Sequence, residues 1–115
     1  MVNQRDIVEV SFDSDFGENH PAVVLSNKLV QEVEGYFVCV MMTSTKQDDE
    51  FTFVITDEML TKPSNKNYIE VRCHLISFVP VDSIINNSNF SQLRIEPFKK
   101  LMKKINETTF STGDL

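Results

Sequence analysis

The stretch Gly17-Glu18-Asn19-His20-Pro21-Ala22-Val23-Val24-Leu25-Ser26-Asn27 sets a polar loop and a rigid His-Pro step directly ahead of a short apolar strand. Such a junction suits the mouth of a small barrel. Proline fixes its own φ and cannot donate to a sheet ladder, so it is expected at the start of the strand rather than in its middle. Just upstream, Asp6-Ile7-Val8-Glu9-Val10-Ser11-Phe12 alternates, with Val8, Val10 and Phe12 on one side and Ile7, Glu9 and Ser11 on the other. That is the period of a half-buried strand.

The remaining elements follow from the same reasoning. Tyr36-Phe37-Val38-Cys39-Val40-Met41-Met42 is rich in β-branched and aromatic residues, ends in the hydroxyl cluster Thr43-Ser44-Thr45, and is predicted to be the central strand. Residues 46–50 read as a turn, and Phe51, Phe53 and Ile55 then alternate with Thr52, Val54 and Thr56, which predicts a hairpin with the preceding strand. Ser26-Asn27 opens a polar connection, and residues 61–67 form another. In the next strand Ile69, Val71, Cys73 and Leu75 share one face, leaving Glu70, Arg72 and His74 on the other. The chain stays extended to Pro80, and Asp82-Ser83 can cap a helical turn through Ile85. Phe98, Leu101, Met102 and Ile105 then repeat at helical spacing behind Glu96-Pro97, with Lys99, Lys100, Lys103 and Lys104 on or beside the opposite face. Residues 111–115 are expected to be loose. Together these elements predict a mainly β fold with helices: a small, bent antiparallel barrel carrying a C-terminal amphipathic helix.

A length of 115 residues predicts one domain, 1–115. The longest unbroken apolar run, residues 36–42, is far short of the roughly 20 residues of a membrane span, and no signal peptide is apparent, so a cytoplasmic protein with no membrane partner is expected. Cys39 and Cys73 each lie in a predicted apolar strand and read as free, buried thiols. Neither pairs with His20 or His74 at ligand spacing, so no metal site is predicted. The net charge of −6 argues against a general nucleic-acid binder. The balance is uneven: residues 1–58 hold three Lys/Arg against twelve Asp/Glu, and residues 59–115 hold eight against five. Any contact with RNA must therefore be local.

Arg5-Asp6-Ile7-Val8 and His20-Pro21-Ala22-Val23-Val24-Leu25-Ser26-Asn27 together resemble the opening of the MazF/PemK family, the toxin half of bacterial toxin-antitoxin pairs. The likeness continues through residues 37–45 and 72–84. Two departures stand out: Arg5 occupies a position where the family usually has Gly, and His20 one where it usually has Arg. The resemblance implies an SH3-like barrel of the CcdB/MazF kind. It also implies a homodimer whose junction is lined by the loop after the first strand, and neutralisation by a cognate antitoxin that lays a disordered segment along the dimer groove.

The activity so implied is metal-independent, cofactor-free endoribonuclease cleavage of single-stranded messenger RNA, in which a 2′-hydroxyl attacks its neighbouring phosphate. Such chemistry needs a base, an acid and a cation for the crowded oxyanion. By resemblance the catalytic candidates are His20, Thr43, Arg72 and His74, the last standing where some members carry a carboxylate after Arg-Cys; Asn19, Ser44 and Thr45 are candidate substrate contacts. Two imidazoles can divide the proton work while Arg72 bonds the phosphate at two points. Other readings stay open. Glu70, Arg72 and His74 also fit a solvated, salt-bridged strand face, and the lysine stripe of the helix fits simple solvation. A non-catalytic toxin acting by protein binding, as gyrase poisons of this fold do, and a degenerate toxin that has lost turnover are the alternatives.

Overall fold

The computed structural model describes residues 2–11 and 19–113, with 86–90 described by backbone alone. Phe12, the Gly17-Glu18 part of the first loop, and Asp114-Leu115 of the expected loose end lie outside the described residues. In chain order the elements are β1 (Asp6–Ser11), β2 (Asn19–Val24), α1 (Lys28–Glu34), β3 (Tyr36–Thr43), β4 (Thr52–Ile55), β5 (Ile69–Pro80), β6 (Ile84–Gln92) and α2 (Ile95–Thr108). The strands form one antiparallel sheet in the order β4-β5-β3-β2-β1-β6, with β3 in its middle as expected.

The predicted hairpin between β3 and the following strand does not form. β5 lies between them, pairing with β3 on one edge and with β4 on the other, Thr52 opposite Arg72 and Val54 opposite Glu70. At twelve residues β5 is long enough to template both neighbours, whereas β4 has only four. Along β5 the register slips: Val40 faces Ile76 but Met42 faces Val71, so two steps on β3 match five on β5. Three extra residues are an odd number, and the side-chain alternation inverts across the slip. Ile76 therefore packs with Val71 and Cys73, while Leu75, expected on that face, is exposed.

Two apolar layers result. Ile7, Val23, Val40, Met42, Val71 and Cys73 form an inner layer capped by Phe98, Leu101 and Ile105 of α2. Val8, Val10, Ala22, Val24, Phe37 and Cys39 form a second layer on the opposite side of the strands. Met102, expected among the docking residues of α2, sits at the margin and is partly exposed. The sheet curls so that its two edges meet. Leu60, just beyond β4, bridges to Leu93, just beyond β6, and the flanking bonds Thr61 N–H to Gln92 O (2.9 Å) and Arg94 N–H to Met59 O (2.7 Å) tie the two edges together at that point.

Two elements escaped the sequence reading. α1 replaces the expected polar connection: the Asn27 side chain accepts from the Leu29 and Val30 amides, and Gly35 ends the helix at φ 70° with its N–H on Gln31 O. β6, Ile-Ile-Asn-Asn-Ser-Asn-Phe-Ser-Gln, has a composition depleted in strand formers, yet it pairs with β1 from Asp6–Gln92 to Val10–Ile84. Pro21 is the third residue of β2, not its first. It is tolerated because β2 is still one-sided there, Pro21 facing Glu9 of β1 while pairing with β3 begins only at Ala22.

Arg5, which stands where the resemblance has Gly, adopts φ 79°. Its main chain links three strands, the N–H donating to Val24 O (2.8 Å) and the carbonyl accepting from Leu93 N–H (2.9 Å), so the turn cannot relax without opening the sheet. A left-handed conformation costs a residue with a Cβ about 1–2 kcal/mol. The guanidinium offsets part of this through Nη1 donating to Leu93 O at 2.8 Å. Arg5→Gly should therefore be more stable than Arg5→Ala by about 1 kcal/mol, since alanine loses the bond and keeps the strain. Urea unfolding compares the two directly, and equal midpoints would remove the strain argument.

Candidate active site

One row of side chains crosses β3, β5 and β4. β2 and β3 pair as far as Ala22 and Met41; His20 lies two residues before the one and Thr43 two residues after the other, both beyond the last paired residues. Thr43 in turn pairs with Glu70 on β5, and Glu70 with Val54 on β4. Opposed residues share a face, so this row and the Arg72–Thr52 row beside it lie on the side of the sheet away from Val40, Met42 and Val71. His20 and Thr43 are partly buried; Asn19, Ser44 and Thr45, next to them at the strand ends, are exposed. Thr43 Oγ1 accepts from the Thr45 amide at 3.1 Å, which turns the chain away from the sheet at the end of β3.

Beside this row sits a buried polar network. The Glu70 side chain is fully buried and accepts four hydrogen bonds: Oε1 from the Gln47 amide (2.9 Å) and Tyr68 Oη (2.6 Å), Oε2 from Thr52 Oγ1 (2.9 Å) and Arg72 Nη1 (2.8 Å). Arg72 grips Asp49 with both arms of its fork, Nη1 to Oδ1 at 2.9 Å and Nη2 to Oδ2 at 2.7 Å, and also reaches Thr52 Oγ1 at 3.0 Å. The sequence reading that left Glu70 and Arg72 on a solvated face is corrected here. The 44–51 connection folds across β5 and takes both out of water. His74, two residues beyond Arg72 at the slipped part of β5, is exposed, with its ring 4.3 Å from that of Phe51.

The electrostatics follow the bonds. Arg72 beside Asp49 holds that carboxyl well below the usual carboxylate range. Burial works to raise Glu70, but its bonds from Tyr68, Gln47, Arg72 and Thr52 outweigh it and keep the group ionised below its ordinary range. Donating to Glu70 pushes the Tyr68 phenol up to about 12, and the two carboxylates raise Arg72 above its already high value. Cys39 and Cys73 are free and buried, as expected, and burial pushes the Cys39 thiol up to about 12, far from a nucleophile's range. Among the described residues no cluster of His, Cys, Asp and Glu could hold a metal ion.

The structure thus places His20 and Thr43 at the ends of adjacent strands, with Asn19, Ser44 and Thr45 exposed next to them, Arg72 in the network around Glu70, the partner of Thr43 on β5, and His74 apart on the exposed part of β5. Asp49, Thr52, Tyr68 and the burial of Glu70 are additions. A signal for them existed in the acidic turn at residues 48–50 and in the Glu-x-Arg alternation of β5, but nothing local joined the two.

A family model for PemK-like, MazF-like toxins of type II toxin-antitoxin systems matches residues 3–109. The chain belongs to this family. The fold agrees. An endoribonuclease from a mycobacterial species, solved with its cognate antitoxin, superposes with a TM-score of 0.72 at 12% identity, covering 92% of each chain. A MazE-MazF complex from Deinococcus radiodurans gives 0.72 at 15% identity over 92% of this chain and 94% of that one. The Mycobacterium tuberculosis toxin MazF-mt6 gives 0.70 at 16% over 90% and 94%. A search of curated proteins finds no match. At these identities the solved structures establish the MazF-like fold, and the family is shown by the sequence match. Among the described residues, no helix of this MazF-like toxin is long and apolar enough to cross a membrane.

Proposed function

We propose that this MazF-like toxin is a metal-independent endoribonuclease that cuts single-stranded messenger RNA in the cytoplasm. What supports the reading is the family match over residues 3–109, together with His20 and Thr43 at the ends of adjacent strands and Thr43 paired with Glu70, the ion-pair partner of Arg72. The 2′-oxygen of the RNA attacks the adjacent phosphorus and loses its proton to a base. The bond to the 5′-oxygen breaks, that oxygen takes a proton from an acid, and a 2′,3′-cyclic phosphate remains. His20 is the proton carrier, with His74 as a second imidazole. The Thr43 hydroxyl donates to a non-bridging oxygen, Arg72 supplies positive charge, and Asn19, Ser44 and Thr45 contact the flanking RNA. The working unit is a homodimer, and a cognate antitoxin blocks it, as the antitoxin-bound relatives suggest.

Purified protein free of antitoxin is expected to cut single-stranded RNA in the presence of a chelator and to leave cyclic phosphate ends, read by electrophoresis and end analysis. Intact RNA across many sequences would overturn the nuclease reading. One observation favours a second reading: the fork of Arg72 is occupied by carboxylates, which suits a toxin that binds a protein target without cutting RNA. Growth arrest with intact RNA and trapped DNA breaks would identify that case.

A further inference from the structure

The guanidinium of Arg72 is built as an anion receptor and is already filled. Its two arms meet the two oxygens of Asp49 side by side, the geometry with which arginine binds a carboxylate or a phosphate. The two carboxylates on Arg72 differ in kind. Glu70 is wholly buried, with every bond made inside the fold, whereas the Asp49 side chain keeps 36% of its surface open to solvent. Asp49 is carried by a turn whose residues 44–50 are all exposed and whose preceding residue, Asp48, sits at φ 53°. Among the described residues, Asp49 bonds, apart from Arg72, the backbone and hydroxyl of its own turn, at Phe51 and Thr52. Removing it would leave Arg72 oriented by Glu70 and Thr52, its charge balanced and Nη2 released from the bond it makes to Asp49.

We propose that Asp49 stands in for a ligand, and that a phosphodiester of single-stranded RNA takes its place on Arg72 when RNA binds. The proposal rests on the nuclease reading for the identity of the ligand. With Asp49 in position the cluster carries two negative charges against one positive, which repels an approaching phosphate. Exchanging the carboxylate for the phosphate keeps the charge-assisted bonds and adds no second anion. The 48–50 turn then acts as a competitor that RNA must displace, and binding is weaker than the site alone would allow.

The probe is a short oligoribonucleotide with 2′-O-methyl groups, which lacks the attacking hydroxyl and cannot be cut. Asp49→Asn retains the oxygen that accepts from Phe51 and Thr52 and loses the charge on Arg72. It is expected to bind the probe about tenfold more tightly than the parent, the scale of one charge-assisted contact. Asp48→Asn removes the same charge one residue away and should change affinity by less than about twofold. Adding Arg72→Met to Asp49→Asn should abolish the gain. In the unaltered protein the Asp49 side-chain carboxyl carbon resonance should shift on titration with the probe, which tests the exchange even if Asp49→Asn folds poorly. Equal affinity of parent and Asp49→Asn, a gain that survives loss of Arg72, an equal gain in Asp48→Asn, or an unmoved Asp49 resonance at saturation would each overturn the proposal. If the probe binds as expected but unmodified RNA stays intact, the nuclease reading fails and this inference stands.

Discussion

Arg72→Met is expected to destabilise the fold by about 3–5 kcal/mol, because it leaves the carboxylate of Glu70 buried without its counterion. Glu70 has no solvent exposure, and its bonds from Gln47, Thr52 and Tyr68 would remain, but none of these donors carries a charge. The double variant Arg72→Met/Glu70→Leu should recover most of the loss, since two apolar side chains need no counterion. Urea unfolding at neutral pH measures both. A loss below about 1 kcal/mol for the single variant would put the pair on the scale of a solvated one. Acid sharpens the test. In the parent, Asp49 and Glu70 lie below their unfolded values, so the stability they contribute is full above the ordinary carboxylate range and falls as pH drops through their folded values. In Arg72→Met the upward push of burial on Glu70 gains the advantage, and protonation relieves the variant. The gap between parent and variant should therefore narrow as pH falls below about 5, and a constant gap would contradict this sign.

His20→Ala carries the second large effect, a slowing of RNA cleavage by about 10²–10⁴-fold, the usual contribution of a positioned proton carrier. The substitution falls at the one-sided start of β2, so the thermal midpoint should move little while the single-turnover rate collapses. A variant that cuts as fast as the parent would remove His20 from the chemistry. His20→Arg restores the residue the family usually places there. Arginine offers a permanent charge and a fork of donors but is a poor proton carrier at neutral pH. A faster His20→Arg enzyme would mean that charge at this position limits the parent, and a slower one that proton transfer does.

Several parts of this fold could be read directly from residues. The alternation of β1, the β-branched run of β3 and the helical spacing of Phe98, Leu101 and Ile105 each reflect burial against a neighbour, and burial imprints a period on the chain. α1 was legible in principle, because Asn27 and Gly35 bracket it, but at seven residues it is short, and its apolar Leu29 and Val33 remain exposed instead of entering the core. β6 was not legible. Its asparagines and serines disfavour a strand, and it becomes one because β1 has an open edge whose amides and carbonyls need partners.

The candidate site divides in the same way. His20 and Thr43 are candidates through the family resemblance of the His-Pro step and of the end of β3, and each lies near a strand end. That they come to the ends of adjacent strands depends on which strands pair. Local sequence therefore determined the elements other than α1 and β6, the sidedness of most strands and the residues able to carry protons. Tertiary structure alone decided that β5 separates β3 from β4, that a three-residue slip turns Leu75 outward, and that Glu70 and Arg72 are buried under a turn more than 20 positions away. The physical reason is that alternation encodes which side of a strand is dry, whereas the partner across a ladder and the donor to a buried carboxylate are fixed by contacts distant along the chain.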